Sequence, residues 1–408
     1  MAVFVTDGNQ RATLALVRAL GAAGIPVTVG EASQTSLAGS SRHCRRTVRY
    51  PSPADDGEQF VNFLRGVLQG GGHEVLIPMT DITMQIISAE RDSFQPMVRL
   101  PFPDRANVEL VQDKREVLLR ALQLGIACPE TSVLREGERV EDVARSARFP
   151  VVLKPRYSRY YRDGGWTEGS VQFTHTPEAL ISAYHRMHAE IPYPLVQEKL
   201  EGEGRGVFLL VWDGELKAAF CHRRLREKPP WGGVSVYCES VPLDENLVGQ
   251  SLALLRAVGW QGVAMVEYKV DRRDGQPKLM EVNGRFWGSL QLAVDAGMNF
   301  PLLLYRLATG ENPPAQHDYK VGVKSRWLLG DLDCLWIRFK HPRMLNGSAL
   351  PGPSRFRAVL DFLKFYERDL HYEILRLDDP APGWHEIKTY LRDGLRRDKS
   401  IPEEAGAR

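Results

Sequence analysis

Long apolar runs are missing from this chain. No stretch approaches the roughly 20 consecutive apolar residues of a membrane helix, so no spanning segment and no membrane partner are expected. Cysteine is sparse: five residues, at 44, 128, 221, 238 and 334, are scattered and form no C-x-x-C pair. That excludes a disulfide framework and a zinc ribbon, and predicts reduced thiols in a cytoplasm. Neither sign of charge dominates, since 53 basic and 51 acidic residues leave a formal charge of +2. Nucleic acid is therefore not an expected partner, and the basic runs Arg42 to Arg49 and Arg396 to Lys399 read as solvated surface. Asp7 interrupts the N-terminal apolar stretch where an export signal would continue it. The first strand–helix turn has no G-x-G-x-x-G fingerprint, and no Ser-His-Asp or Cys-His set offers a protein nucleophile.

What is present begins as alternation. "AVFVT" reads as a strand, "GNQRATLALVRALGAAG" places Leu14, Val17 and Leu20 at helical spacing and ends on Gly24, and "IPVTVG" reads as a second strand. "EVLIPMTD" repeats the pattern ahead of a helix from Ile82 to about Glu90. Strands alternating with helices predict a doubly wound parallel sheet over residues 1–105. Thr6 to Asn9 and Thr80-Asp81 fall at its carboxyl edge, where such sheets take ligands. Turn and cap chemistry accounts for them equally well. "PFPDRANVELVQ" (101–112) reads as a linker, followed by a helix from Lys114 to Leu124. From about 150 onward, extended runs joined at Asp213-Gly214 and Asp274-Gly275 predict an antiparallel sheet. The fold class is thus α/β followed by α+β. Beyond 330 the chain reads as amphipathic helices, with a disordered tail expected at the end.

The stretch "PKLMEVNGRFWGSL" (277–290) spends one face on Glu281 and Asn283 just where its strand breaks at Gly284. It is the second half of a hairpin with "VEYKVDR". A three-residue loop, Arg273-Asp274-Gly275, would put Gly275 in the left-handed region and set Glu267 opposite Glu281. A two-residue Asp-Gly turn would send Glu267 to the other face. Facing carboxylates destabilise a sheet unless something neutralises them. Basic neighbours or solvent exposure would suffice; so would a divalent cation, for which hard oxygen ligands suit magnesium that completes its shell with water and phosphate.

Cationic candidates lie along the chain at Lys154 in "FPVVLKP", Lys114 in "QDKREVLLRA" and Lys199 in "LVQEKLEGEG". The loop after Lys154 contains Gly164-Gly165, whose backbone N–H groups could cover phosphates or form an ordinary hairpin tip. In "CHRRLREK" (221–228), strand alternation would set His222, Arg224 and Arg226 on one face and Arg223 on the other. Such a row suits a carboxylate or a transferring phosphoryl group, or equally a charged edge strand.

Taken in order, these pieces resemble the ATP-grasp superfamily, especially its carboxylate–amine ligase-like members, and in pattern the ATP-binding domain of the carbamoyl-phosphate synthase large chain. The resemblance covers residues 1 to 330 and rests on Asp113-Lys114 before "GIACPET", "FPVVLKP", "VQEKLEGEG", "GVAMVEYKVD" and "LMEVNGRFWGSL". It implies a Rossmann-like domain (1–105), an ATP-grasp fold of two α+β subdomains (106–330, lid about 130–197) and a helical C-terminal extension (331–408). It further implies that Glu267, Glu281 and Asn283 bind one or two magnesium ions, with manganese as the substitute such oxygen ligands accept. Lys114, Lys154, Gly164 and Gly165 would contact ATP phosphates. Glu198, Lys199 and Leu200 would line the adenine pocket, with Glu203 on the ribose. Lys154, Arg226 and Arg285 would act on the transferring phosphoryl group, and His222, Arg224, Arg226 and Arg285 would hold substrate. The implied activity joins a small-molecule carboxylate, activated as an acyl phosphate, to an amine with release of ADP and phosphate, and the assembly it allows is a homodimer. Bicarbonate activation, or ATP binding without catalysis, are the other readings weighed.

Overall fold

The computed structural model of the protein describes residues 1–162, 165–340 and 354–394. Its N-terminal sheet contains β1 (Ala2–Val5), β2 (Val27–Glu31), β3 (Arg46–Arg49) and β4 (His73–Ile77), all parallel, in the order β3-β2-β1-β4. Val3, Phe4 and Val5 are fully buried because helices cover both faces of a parallel sheet. The helix Arg11–Ala22 buries Leu14, Val17 and Leu20 and, with them, every residue from Ala12 to Leu20, so it is enclosed on all sides. In the turn before it, Asp7 adopts a φ of 58°. A Cβ on Gly8 would lie 2.7 Å from both Ser36 and Val29, so this turn takes glycine. The basic run near residue 46 becomes β3, a mostly exposed edge strand whose charge discourages pairing with other chains. The expected linker at 101–112 instead contains the helix Arg105–Gln112, packed against the helix Asp81–Ala89.

A second, antiparallel sheet is formed by β5 (Thr131–Val133), β6 (Val151–Lys154), β9 (Gln172–Thr174) and β10 (Leu195–Glu198), in the order β5-β10-β6-β9. Beside it stands the hairpin of β7 (Arg159–Arg162) and β8 (Gly165–Glu168). This unit has a separate core, including Leu134, Leu153, Leu180, Tyr184 and Val196. A subdomain with its own core can move as a body.

The large sheet comprises β11 (Gly202–Trp212), β12 (Glu215–Lys228), β13 (Val234–Ser240), β14 (Gly262–Asp271), β15 (Pro277–Asn283), β16 (Lys324–Arg326) and β17 (Leu370–Tyr372). Their order is β15-β14-β11-β12-β13-β16-β17. The C-terminal extension is therefore more than helical, because β17 joins this sheet in parallel with β16. The two faces of the large sheet carry different cores. Phe208, Leu210 and Trp287 share one with Val3, Val5 and the first helix. Leu209, Tyr268, Leu279 and Val282 share the other with Phe4, Phe60 and Leu64. The N-terminal sheet and the large sheet are thus fused through both cores. Among the described residues, no helix is long and apolar enough to cross a membrane.

Candidate active site

Glu267 pairs with Glu281 across β14 and β15, as the sequence predicts, but by a different route. Val270 lies opposite Pro277, and the Asp271 amide donates to the Gln276 carbonyl at 2.9 Å. The loop is therefore Arg272 to Gly275, one residue longer than expected, with Gly275 at a φ of 69°. That register alone would set Glu267 opposite Met280 and turn Glu281 away. A bulge at Met280 restores it: Tyr268 faces Leu279, and the next pair is Glu267 with Glu281. The bulge also explains how Leu279 and Val282, three apart, both reach the core.

The strand ends in a cluster. Asn283 Nδ2 lies between the two carboxylates, donating to Glu267 Oε1 at 3.1 Å and Glu281 Oε1 at 3.2 Å. Arg224 from β12 is ion-paired with Glu267 and also meets Glu227 at 3.0 Å. Arg285 donates to Asn283 Oδ1 at 3.3 Å and grips Asp81 through Nε at 2.8 Å and Nη2 at 3.2 Å. Burial, reinforced by the facing Glu281, pushes the Glu267 carboxyl up despite Arg224, to about 7. Burial also raises Glu281, but Lys114 and Lys154 outweigh it and keep this carboxylate below its ordinary range. Two close carboxylates and an amide, with the amide's N–H groups standing where a positive charge is wanted, match a hard-cation donor set. The residues fit magnesium.

Lys154 ends β6, opposite Leu195 on β10, and lines a cleft with Lys114, Glu281 and Asn283. The cleft encloses about 710 Å³ of space open to solvent. Burial lowers the Lys154 amine to about 8, against the pull of Glu281. Lys114 Nζ donates to Ser158 Oγ at 2.7 Å. The preceding Asp113 is a helix cap that accepts from Arg115 and Glu116 and also from Arg156 Nε at 2.7 Å and the Tyr157 hydroxyl at 3.0 Å. Asp113-Lys114 therefore fastens the start of the loop that follows Lys154. Gly165 opens β8, while Gly164 lies outside the described residues.

Several expected site residues are placed elsewhere. The row of His222, Arg224 and Arg226 is broken by a bulge: Arg224 faces Cys238, but Arg226 faces Tyr237. Arg226 is consequently bound by Asp331, through Nε and Nη2 each at 2.6 Å, and does not join the cluster. Arg223 does take the other face, on Glu239 at 2.7 Å. His222 is buried under Phe208, with the Ser289 hydroxyl 3.4 Å from Nδ1, so it presents nothing to a substrate. Glu203 sits on the reverse of the sheet from Glu267, with Arg205 at 3.1 Å and Arg223 at 3.8 Å. Glu198 is held by Arg273 at 2.6 Å and by the Glu130 amide at 2.9 Å, away from the cleft. Lys199 stands over the Phe173 ring and Leu200 is buried.

Two residues were missed as site residues. Gln197 lines the cleft from β10; its Nε2 is tied to Thr131 at 2.9 Å, and its buried Oε1 has no partner. Strand alternation from Lys154's neighbour Leu195 would have found it, since Leu195 and Gln197 share a face. Asp81, flagged only as part of a sheet edge, reaches across to Arg285 from the first turn of its helix.

Gly284 closes the strand for a steric reason. A Cβ there would lie 2.7 and 2.8 Å from ring atoms of buried Trp260. Gly284→Ala is expected to cost about 1–3 kcal/mol by overpacking, read as a lower urea midpoint at an unchanged slope.

A parallel-sheet domain, a smaller sheet with its own core and a large sheet carrying facing carboxylates beside a lysine-lined cleft make up the fold. Residues 190–329 match the family model described as ATP-grasp in the biosynthetic pathway with Ter operon. Solved structures agree in fold. An L-amino acid ligase from Bacillus licheniformis is 17% identical, with a TM-score of 0.59 over 76% of this chain and 74% of its own. The N5-carboxyaminoimidazole synthetase of Staphylococcus aureus, complexed with ADP, is 14% identical, with a TM-score of 0.61 over 84% and 86%. The biotin carboxylase domain of the Hydrogenobacter thermophilus 2-oxoglutarate carboxylase, in complex with MgADP and bicarbonate, is 14% identical, with a TM-score of 0.62 over 79% and 73%. No curated protein sequence matches the chain.

Proposed function

We propose that the protein is an ATP-dependent ligase that activates a small-molecule carboxylate as an acyl phosphate and couples it to an amine. The observation that carries this reading is that Glu281 and Asn283 line a cleft with Lys154 and Lys114, while Asn283 Nδ2 ties Glu281 to Glu267. Glu267, Glu281 and Asn283 would hold magnesium, which when bound offsets negative charge on phosphate oxygens. Lys154 and Lys114 position the β- and γ-phosphates, and Gln197 accepts from the exocyclic amine of adenine. Arg285, oriented by Asp81 and bonded to Asn283, is the donor for the substrate carboxylate. A carboxylate oxygen attacks the γ-phosphorus as its bond to the bridging oxygen breaks, and ADP leaves. The amine nitrogen then attacks the acyl carbon, phosphate departs, and the nitrogen loses a proton. Closure of the separately packed lid would keep water from the acyl phosphate. The five free cysteines support a reducing, cytoplasmic setting.

The test is ADP release by the purified protein against a panel of carboxylic acids, each with and without amines. Release that needs an acid and rises with an amine supports the reading. Release driven by bicarbonate alone would transfer it to carboxyphosphate chemistry. Binding of MgATP without turnover across the panel would leave a nucleotide-binding protein.

Lys154 allows function and stability to be separated. Its lowered pKa means that the folded state binds this proton less tightly than the unfolded chain does. The charge therefore costs stability below about pH 8, and that cost disappears once pH exceeds the unfolded value. Lys154→Met is expected to weaken nucleotide binding by about tenfold or more, while the thermal midpoint at pH 7 stays level or rises. Calorimetric titration and thermal unfolding of one preparation check both halves.

A further inference from the structure

A second polar site lies at the junction of the N-terminal sheet, the large sheet and the C-terminal extension. Arg11, the first residue of its helix, is ion-paired with Glu373, just beyond β17. The Glu373 side chain is 2% exposed, yet its Oε1 has no hydrogen-bond partner. Ser235 Oγ and Trp287 Nε1, also buried, are without partners as well. The Arg11 guanidinium reaches the backbone at or beside both residues. Arg11 Nη2 donates to the Ser235 carbonyl at 3.3 Å, and a Cβ on Gly288, beside Trp287, would lie 2.8 Å from the same nitrogen. Arg11 keeps 13% exposure and Gly288 is exposed, so the pair borders solvent. Trp327 is flanked by two cations, with Arg11 Cζ 4.1 Å and Lys228 Nζ 5.2 Å from its ring centroid.

Two short paths join this site to the carboxylate cluster. Arg224, paired with Glu267, donates to the Gly233 carbonyl at 3.1 Å, and Ser235 is two residues further along the chain. At about 3.3 Å per extended residue, these carbonyls are roughly 7 Å apart. Arg285 and Gly288 are likewise three residues apart on one loop. Short backbone stretches thus join the residues that touch Arg11 to residues bonded to the cluster.

Resting on the ligase reading, we propose that Glu373, oriented by Arg11, binds an ammonium group on the acid substrate, which is therefore an amino acid activated at a carboxyl group remote from that ammonium. A buried carboxylate fixed through one oxygen, with the other unpartnered, is built for one more donor. Burial pushes the Glu373 carboxyl up to about 7 even with Arg11 beside it, and Glu386 and Asp295 act in the same direction, so a further cation is favourable there. An amine held against a carboxylate keeps its proton and cannot attack an acyl phosphate. That assigns the ammonium to the acid and not to the acceptor, and guards the acid against condensing with itself.

The test is calorimetric binding to the full-length protein loaded with magnesium and a non-hydrolysable ATP analogue. The probes are L-aspartate, L-glutamate and 4-aminobutyrate, each beside the acid that lacks its amine. At least one amino acid should bind tenfold or more tightly than its des-amino partner. Glu373→Gln should erase that preference, and Glu373→Asp should restore part of it. Equal binding of both members of every pair, no binding of any probe to the loaded protein, or a preference that survives Glu373→Gln would overturn the assignment. Failure of the ligase reading would show separately, as no acid-dependent ADP release across the panel of carboxylic acids.

Discussion

Glu281→Ala is expected to lower acid-dependent ADP release by roughly two to three orders of magnitude while leaving the fold intact. The carboxylate faces Glu267, receives Asn283 Nδ2 at 3.2 Å, and stays ionised beside Lys114 and Lys154. Its removal takes away one of two carboxylates in the proposed cation set and the counter-charge that orients both lysines. Folding should survive because facing carboxylates repel in a sheet, and Glu267 retains Arg224 as partner. The thermal midpoint at pH 7 should fall modestly, because a carboxylate held below its ordinary range stabilises the fold there. Steady-state ADP release and a thermal unfolding curve on the same preparation decide the matter: undiminished release would remove Glu281 from the chemistry. Glu281→Gln tests charge against shape. It keeps the acceptor oxygen for Asn283 but loses the negative charge, so it should track the alanine variant in rate.

The same hairpin shows what could be read from sequence and what could not. Alternation was enough to flag Glu281 and Asn283 on one face, because it is a local pattern, but the pairing with Glu267 was reached from a loop of the wrong length. The loop, however, is longer than expected, and only the bulge at Met280 returns the pairing to register. A bulge has no fixed residue signature, so alternation fails wherever one occurs. Arg226 is the other instance: counting by twos from Arg224 places it on the cluster, and the break between them turns it to Asp331. Glu198 failed for a different reason. Its partner Arg273 lies 75 residues along the chain, and no local pattern reports such a pairing. The alternating βα units, by contrast, came through with helix and strand ends within a few residues, since apolar spacing decides which face is buried. Asp81 was visible as an edge residue, but its bond to Arg285 depends on how two domains share their cores.

Asp331 is where the C-terminal extension is fastened, and its loss should be the most destabilising single change. Only 2% exposed, it accepts from Arg226 at 2.6 Å and from Arg326 Nε at 2.7 Å. The two cations fare differently without it. Arg226, 21% exposed and stacked 4.5 Å from the Tyr237 ring centroid, can turn toward water. Arg326 is 1% exposed and held by the carbonyls of Phe362 at 2.6 Å and Lys364 at 3.0 Å, so its charge would stay buried with no counter-ion. Breaking a buried pair from one side costs about 3–5 kcal/mol. Asp331→Ala should therefore lose about that much in guanidinium unfolding, and Asp331→Asn somewhat less, since an acceptor oxygen remains. Adding Arg326→Met to Asp331→Ala should recover most of the loss, because it removes the stranded charge. A double variant no more stable than the single one would show that the loss comes from packing instead of charge. The comparison also tests whether Arg226 is structural: Arg226→Met should then lower stability by less than Asp331→Ala and leave phosphoryl transfer in place.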